Sequence, residues 1–233
     1  PQRGDLILAD ELVHASMHEG LRLTRAEARM VRHNDADAFE QALTEWRRAG
    51  GTGQVWIAVE SLYSMDGDFA PLAELSQIAL RHDAMLLVDE AHATGICGPS
   101  GRGLSATLPA RDHVISLHTC GKALGAEGAL LCGPQILRDF LINRARPFIF
   151  STAPSPLTAT IVRAAIAIVR DGDDLRAALH ARLAEAERLL TPQGARFGGS
   201  PILPLVLGED ARTMAVAARL QEAGFDLRGV RPP

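Results

Sequence analysis

The 233-residue sequence predicts an α/β fold in which a mostly parallel sheet is covered by helices. Short apolar runs alternate along the chain with segments of helical spacing. Hydrophobic residues make up 47% of the chain and charged residues 22%, which is enough apolar material for a sizeable core. Ligands of such sheets bind beyond the carboxyl ends of the strands, so we expect functional residues directly after the apolar runs.

Five apolar runs are predicted strands, with helices between and after them. The predicted strands are 6–9, 55–59, 85–88, 114–117 and 129–132. The predicted helices are 35–49, 71–82, 134–145, 154–170, 173–190 and 211–223. In the second helix Leu72, Leu75, Ile78 and Ala79 recur at helical spacing, and Pro71 suits a first turn.

A second, smaller domain is predicted near the end of the chain. The segment 191–201 has the composition of a loop, and two further strands are predicted at 202–207 and 225–230. We therefore expect a large domain over 1–170 and the start of a small α+β domain over 171–233. The sequence begins at Pro1 rather than methionine, and we expect it to be part of a longer chain.

Charge and composition exclude several functions. The net charge of −4 provides no basic surface for nucleic acid. The longest apolar runs are much shorter than the roughly 20 residues of a membrane span, so no membrane partner is expected. Cys97, Cys120 and Cys132 lack Cys-x-x-Cys spacing, and a reducing, cytoplasmic setting is the default.

Lys122 is the only lysine among 24 basic residues. A bias toward arginine explains the other positions, where either cation serves. A position that keeps lysine indicates a need for an amine that can lose its proton and attack a carbonyl. Lys122 lies between two predicted strands, in a segment where Gly121, Gly125 and Gly128 permit sharp turns.

Other polar residues follow the remaining strands. Asp89 ends one apolar run and His92 comes three residues later, while Glu60 and Ser64 follow another run and His14 follows the first. Each of these residues alone is also explained by a structural role, as a loop or helix cap or as a side chain that is hydrogen-bonded within the fold. Their predicted convergence at one sheet edge favours a site. A reactive lysine with a strand-end carboxylate suits pyridoxal 5′-phosphate (PLP), whose aldehyde takes the amine and whose ring nitrogen the carboxylate keeps protonated.

Motifs along almost the whole chain resemble those of the α-oxoamine synthases, a family of fold-type I PLP-dependent transferases. The matching segments are 10–16, 33–35, 64–68, 88–95, 101–103, 118–125 and 146–152. The resemblance implies that Lys122 forms the Schiff base, Asp89 pairs with the pyridinium, His92 donates to the phenolic oxygen and His14 stacks on the ring.

The same resemblance implies a shared site in a homodimer. It implies that Ser64 is the family serine beside cofactor and substrate and that Thr119 is a phosphate ligand. It further implies that Ser151 or Thr152 reaches the phosphate bound by the opposite subunit. The implied reaction is the decarboxylative condensation of L-alanine with pimeloyl-CoA or a pimeloyl-carrier protein, in biotin biosynthesis, with Gly121 and the ending 228–233 favouring this member.

Several alternatives stay open at this point. Relatives in the same family use glycine or serine as the amino acid. An aminotransferase of the same fold and a non-catalytic scaffold subunit are further possibilities. His14 and His18 have the spacing of a helical metal pair but no evident third ligand, and 98–103 lacks the glycine pattern of a dinucleotide site.

Overall fold

A computed structural model describes residues 1–109 and 111–231. Within these residues, six strands form one sheet in the order β2-β1-β3-β4-β5-β6. The strands are β1 (Leu6–Asp10), β2 (Glu27–Val31), β3 (Val55–Glu60), β4 (Ala84–Asp89), β5 (Val114–Thr119) and β6 (Ala129–Cys132). Strands β1 to β5 pair in parallel, and β6 pairs antiparallel with β5. The predicted mostly parallel sheet is confirmed.

Eight helices accompany the sheet in the described part of the chain. They are α1 (Ala15–Leu23), α2 (Ala36–Arg48), α3 (Leu72–Arg81), α4 (Gln135–Arg144), α5 (Arg146–Ile149), α6 (Pro156–Asp171), α7 (Asp173–Leu190) and α8 (Asp210–Glu222). Within residues 1–109 and 111–231, no helix combines the length and apolar character needed to cross a bilayer.

The main core lies between one face of the sheet and the helices α2 and α3. Phe39, Leu43 and Trp46 recur along α2 and pack with buried strand residues such as Leu8 and Ile57. Spacing of three and four residues puts these α2 side chains on one helix face, which is why the periodicity predicted this helix. Helix α2 begins where the Asp35 side chain accepts the Ala38 N–H at 2.9 Å.

The opposite face of the sheet is covered less completely. Met17 and Leu21 of α1 pack on a smaller cluster around Ile7 and Ala58, and α1 itself contains no fully buried residue. Helix α1 and strand β2 are absent from the sequence prediction. Strand β2 is an edge strand with exposed Glu27, Ala28 and Met30, and its polar and apolar residues alternate, so it has no apolar run to mark it.

The prediction of strands at 202–207 and 225–230 is wrong, because residues 171–231 form helices and irregular segments but no strand. A strand needs a neighbour to satisfy its backbone groups. Among the described residues, the only bond between the backbone of the first segment and another backbone group runs from Arg196 N–H to the Pro204 carbonyl at 3.1 Å. The apolar side chains that suggested strands are largely exposed, at 64% for Val206 and 60% for Phe225. Pro232 and Pro233, at the end of the predicted small domain, lie outside the described residues.

Candidate active site

An open cavity of about 190 Å³ lies at the carboxyl ends of the parallel strands. Its walls come from the ends of β3, β4 and β5 and from the segments that follow β1, β4 and β5. The parallel register sets Glu60 beside Asp89 and Asp89 beside Leu117, so three strand ends meet at one level. The lining residues are His14, Ser16, Glu60, Asp89, Ala91, His92, Leu117, Thr119, Lys122 and Ala129.

Lys122 projects into this cavity from the turn between β5 and β6. Its Nζ lies 2.8 Å from Nε2 of His92, which follows the neighbouring strand β4. The turn closes with a bond from Gly125 N–H to the Lys122 carbonyl at 3.0 Å. Gly125 and Gly128 have φ values of 57° and 93°, a region that favours glycine, as their positions in the sequence predicted.

The surroundings of His92 favour the neutral form of its imidazole. Burial is the main cause that lowers the pKa of His92, and the positive charge of Lys122 lowers it further, against an opposing effect of Asp89. A neutral ring has a free nitrogen lone pair, so Nε2 can accept an N–H of the lysine amine. His92 therefore orients the amine as a hydrogen-bond acceptor and places no second positive charge beside it.

Asp89 is the last residue of β4 and is only 8% exposed. Its Oδ1 accepts the Ala91 N–H at 2.9 Å, which fixes the carboxylate at the start of the loop. The next residue, Glu90, is also buried but belongs to a different network of Ser61, Leu104 and Ser105. Two adjacent acids thus have separate surroundings, and Asp89 is the one that lines the cavity.

Glu60 is a further acid in the cavity that the sequence reasoning placed at a strand end but did not select. It is 3% exposed, and its Oε1 is buried without a hydrogen-bond partner among the described residues. Burial, and next the negative charge of Asp89, raises the pKa of Glu60 to about 7. Its position at the end of β3, level with Asp89, is the signal that could have identified it.

His14 and Thr119 also line the cavity. His14 follows strand β1, and Thr119 is the last residue of strand β5. His14 caps α1, where its Nδ1 accepts the Ser16 N–H at 3.2 Å. Thr119 ends β5, and its Oγ1 accepts the Gly121 N–H at 3.4 Å. Both side chains keep capacity for a ligand, because these local bonds use only part of it.

Three of the predicted residues do not line the cavity. Ser64 lies half-buried in the turn that follows β3. Ser151 and Thr152 are exposed in the segment between α5 and α6, where the Ser151 hydroxyl donates to the Pro147 carbonyl. Their predicted role at a partner's site stays a prediction.

The chain belongs to the aminotransferase class I and II family, which matches residues 2–231. The 8-amino-7-oxononanoate synthase of Anaeromyxobacter dehalogenans is 42% identical over 235 residues, covering 99% of this chain and 58% of the relative. The resemblance found in the motifs is thereby confirmed. The chain spans less than two thirds of the length of such relatives.

Solved structures agree with this assignment. The serine palmitoyltransferase of Sphingomonas wittichii superposes with a TM-score of 0.89 at 28% identity, over 100% of this chain and 59% of that one. The serine palmitoyltransferase of S. paucimobilis, solved with a bound PLP–myriocin aldimine, gives 0.87 at 26% identity over 96% and 58%. The fold is that of the fold-type I PLP transferases.

Proposed function

We propose that this protein is a PLP-dependent acyltransferase that condenses L-alanine with pimeloyl-CoA or a pimeloyl-carrier protein. The products are 8-amino-7-oxononanoate, CO2 and the free thiol. The observation that carries the proposal is the cavity in which the Lys122 amine lies 2.8 Å from His92 and shares the walls with Asp89. The name and 42% identity of the A. dehalogenans relative support the choice of substrates.

The chemistry of the cavity fits PLP. Lys122 offers an amine for the aldehyde, and Asp89 offers a buried carboxylate for the ring nitrogen. Oε1 of Glu60 is buried in this cavity and has no hydrogen-bond partner among the described residues. Buried polar atoms usually have a partner, and a bound ligand would provide one here. Thr119 supplies a hydroxyl for the phosphate, and His14 and His92 supply imidazoles. Ser64, in the turn after β3, completes the proposed set.

Lys122 and Asp89 divide the proton chemistry between them. PLP, when bound, supplies an aldehyde for the amine and a ring that accepts electrons from the substrate Cα. Asp89 holds a proton at the ring nitrogen, because a carboxylate nearby stabilises the cationic form of a base. Lys122, once its amine is free, removes the proton from the alanine Cα as a general base.

His92 and the cavity walls prepare Lys122 for this task. The neutral imidazole of His92 lies 2.8 Å from Nζ of Lys122 and accepts one of its N–H groups. The rest of the amine then points toward the cavity. Lys122 lies on a glycine-rich turn, whereas Asp89 and Thr119 lie at the ends of strands β4 and β5.

The proposed assembly is a homodimer in which Ser151 or Thr152 completes the phosphate site of the opposite subunit. Exposed Phe148, Ile149 and Phe150 precede these hydroxyls, and apolar surface of this kind suits a two-fold interface. Mixing a Lys122→Ala protein with one carrying Ala at both 151 and 152 should recover activity above either parent. No recovery despite proven subunit exchange would refute the shared site.

We also propose that the large domain extends over residues 1–170 and that a smaller domain begins at 171. Helix α6 ends at Asp171 and α7 begins at Asp173, with Gly172 between them. The Gly172 N–H bonds to the Val169 carbonyl at 3.3 Å, which ends α6 at the proposed boundary.

A second candidate is a relative that uses another amino acid, as the similarity to serine palmitoyltransferases suggests. A thiol-release assay on the full-length protein separates the two, with alanine, glycine and serine each tested against pimeloyl, acetyl, succinyl and palmitoyl thioesters. The proposal predicts fastest release with alanine and the pimeloyl thioester. Faster release with serine and palmitoyl-CoA would favour the second candidate, and ketoacid-dependent turnover without a thioester would indicate an aminotransferase.

A further inference from the structure

His33 lies between two carboxylates that belong to different loops of the site. It is in the segment between β2 and α2, outside the cavity itself. Its Nδ1 is 2.9 Å from Oδ1 of Asp10, the last residue of β1. Its Nε2 is 2.8 Å from Oδ2 of Asp68, in the loop that follows β3. Both ring nitrogens therefore face carboxylate oxygens.

Asp10 accepts hydrogen bonds on both of its oxygens. Oδ1 accepts the Leu12 N–H at 2.9 Å in addition to facing His33, and Oδ2 accepts the Asn34 N–H at 2.8 Å. Asp10 is completely buried, so these bonds replace its hydration.

Asp68 receives two contacts on one of its oxygens. Its Oδ2 accepts Nδ2 of Asn34 at 2.8 Å and also faces His33. Its other oxygen is buried and has no partner among the described residues. His33 and Asn34 therefore both bind Asp68 through Oδ2.

Each ring nitrogen lies at hydrogen-bond distance from a carboxyl oxygen, so one proton lies between the atoms of each pair. A carboxyl group is ordinarily a stronger acid than an imidazolium, so both protons belong on the ring, whereas a neutral imidazole has only one N–H. Among the described residues, no arginine or lysine nitrogen comes within 4.0 Å of Asp10 or Asp68, and His33 forms the ion pair with each. We propose that His33 is an imidazolium that ties the loop after β1 to the loop after β3, and that it positions the cofactor residues which these loops carry.

The other groups around His33 are an aromatic ring, a further acid and an arginine. The Tyr63 and His33 rings form a T-shaped pair with centroids 4.5 Å apart, and Glu11 accepts the His33 backbone N–H at 3.0 Å. Burial alone would lower the pKa of His33, but the hydrogen bonds and charges of Asp10 and Asp68 outweigh it and raise the pKa above its ordinary value. The preceding residue, Arg32, pairs with Asp35.

The two loops lead directly to the cavity. Asp10 is followed by His14, which lines it, and the loop that holds Asp68 begins after Glu60, which also lines it. This second loop is itself closed by the bond from Tyr63 N–H to the Asp68 carbonyl at 3.0 Å. A single cation thus joins the segment that carries His14 to the loop that follows Glu60, and this positioning role rests on the proposed function.

The protonation state is tested by nitrogen NMR of the histidine rings in the full-length protein. We expect both His33 nitrogens to carry protons at pH 7.5. Asp68→Asn removes one charge with little change in volume, so the His33 titration midpoint should fall by about one pH unit or more. A neutral His33 ring at pH 7 would overturn the proposal, whether or not the protein takes up PLP.

The positioning role is tested by hydrogen exchange and by PLP affinity. His33→Gln should speed amide exchange at least tenfold in residues 11–14 and 61–70 and weaken PLP binding at least tenfold, with helix content unchanged. His82→Gln is the matched control, since His82 also pairs with a carboxylate, Glu40 at 3.0 Å, away from the cavity. It should change neither quantity more than twofold.

Exchange and affinity in His33→Gln that match the wild type would overturn the positioning role. If that variant does not fold, Asp68→Asn takes its place, and its PLP affinity should weaken with rising pH at the lowered His33 midpoint. Affinity that does not follow the midpoint would also refute the role. Absence of PLP binding by the wild type would instead refute the proposed function, while the exchange data still decide whether His33 joins the loops.

Discussion

Glu90 provides the sharpest test of how the segment around the site is held. Its carboxylate is fully buried and accepts three hydrogen bonds, from Ser61 Oγ at 2.6 Å, Leu104 N–H at 3.0 Å and Ser105 N–H at 2.6 Å. Space around it is tight, because a Cβ on Gly103 would lie 2.5 Å from the carboxyl carbon. The acid therefore fixes the segment after β4 to that around 103–105.

Glu90→Gln keeps the size of the side chain but replaces one acceptor by a donor. In either orientation the new NH2 faces a backbone N–H, that of Ser105 or that of Leu104, at a cost of about 1–3 kcal/mol. The two remaining bonds lose their charge assistance, about 1 kcal/mol each. An amide loses less hydration than a carboxylate on burial, which offsets part of this. We expect the free energy of unfolding to fall by about 2–4 kcal/mol.

Urea unfolding of the full-length protein, followed by circular dichroism, measures this change. The matched control is Glu222→Gln on the exposed end of α8, which should stay within about 0.5 kcal/mol of the wild type. A Glu90→Gln protein as stable as this control would refute the account of the buried network.

Two further predictions concern the acids of the cavity. Asp89→Asn keeps the Oδ1 bond to Ala91 N–H but removes the charge, so turnover should fall roughly 100-fold or more, about 3 kcal/mol of barrier, with stability kept; near-normal turnover would contradict its role. For Glu60 the folded pKa, about 7, lies above the ordinary 4.5, so its contribution to stability is present below pH 4.5 and lost as the pH rises through about 7. Between pH 5 and 8 the Glu60→Gln protein should therefore lose about 2–3 kcal/mol less unfolding free energy than the wild type loses. Equal losses for the two proteins in urea titrations would refute the pKa shift.

The part of the site that lies on strand ends could be predicted because its signals are local. Apolar runs marked β4 and β5, and the parallel arrangement then brought Asp89 and Lys122 to the same edge. A lone lysine among arginines marks its own position in the sequence. The apolar pattern and the chemistry of the lone lysine indicate the same edge of the sheet, so the sequence was enough to predict this part of the site.

Other features depend on distant contacts that no local pattern records. The isolated Oε1 of Glu60 follows from what surrounds it in the fold, and the bridge made by His33 joins residues 23 and 35 positions away. The run 202–207 is apolar and extended in pattern, but a strand also requires a partner, which the described residues do not give it. Such outcomes depend on tertiary pairing.

We propose above all that Lys122 is the residue that carries PLP. Borohydride reduction of the PLP-loaded full-length protein, followed by peptide mass analysis, tests this directly. We expect a pyridoxyl group on the peptide that contains Lys122, and none in a Lys122→Arg control, whose guanidinium cannot react with the aldehyde. A pyridoxyl group found elsewhere, or a loaded wild-type protein without one on Lys122, would contradict the claim.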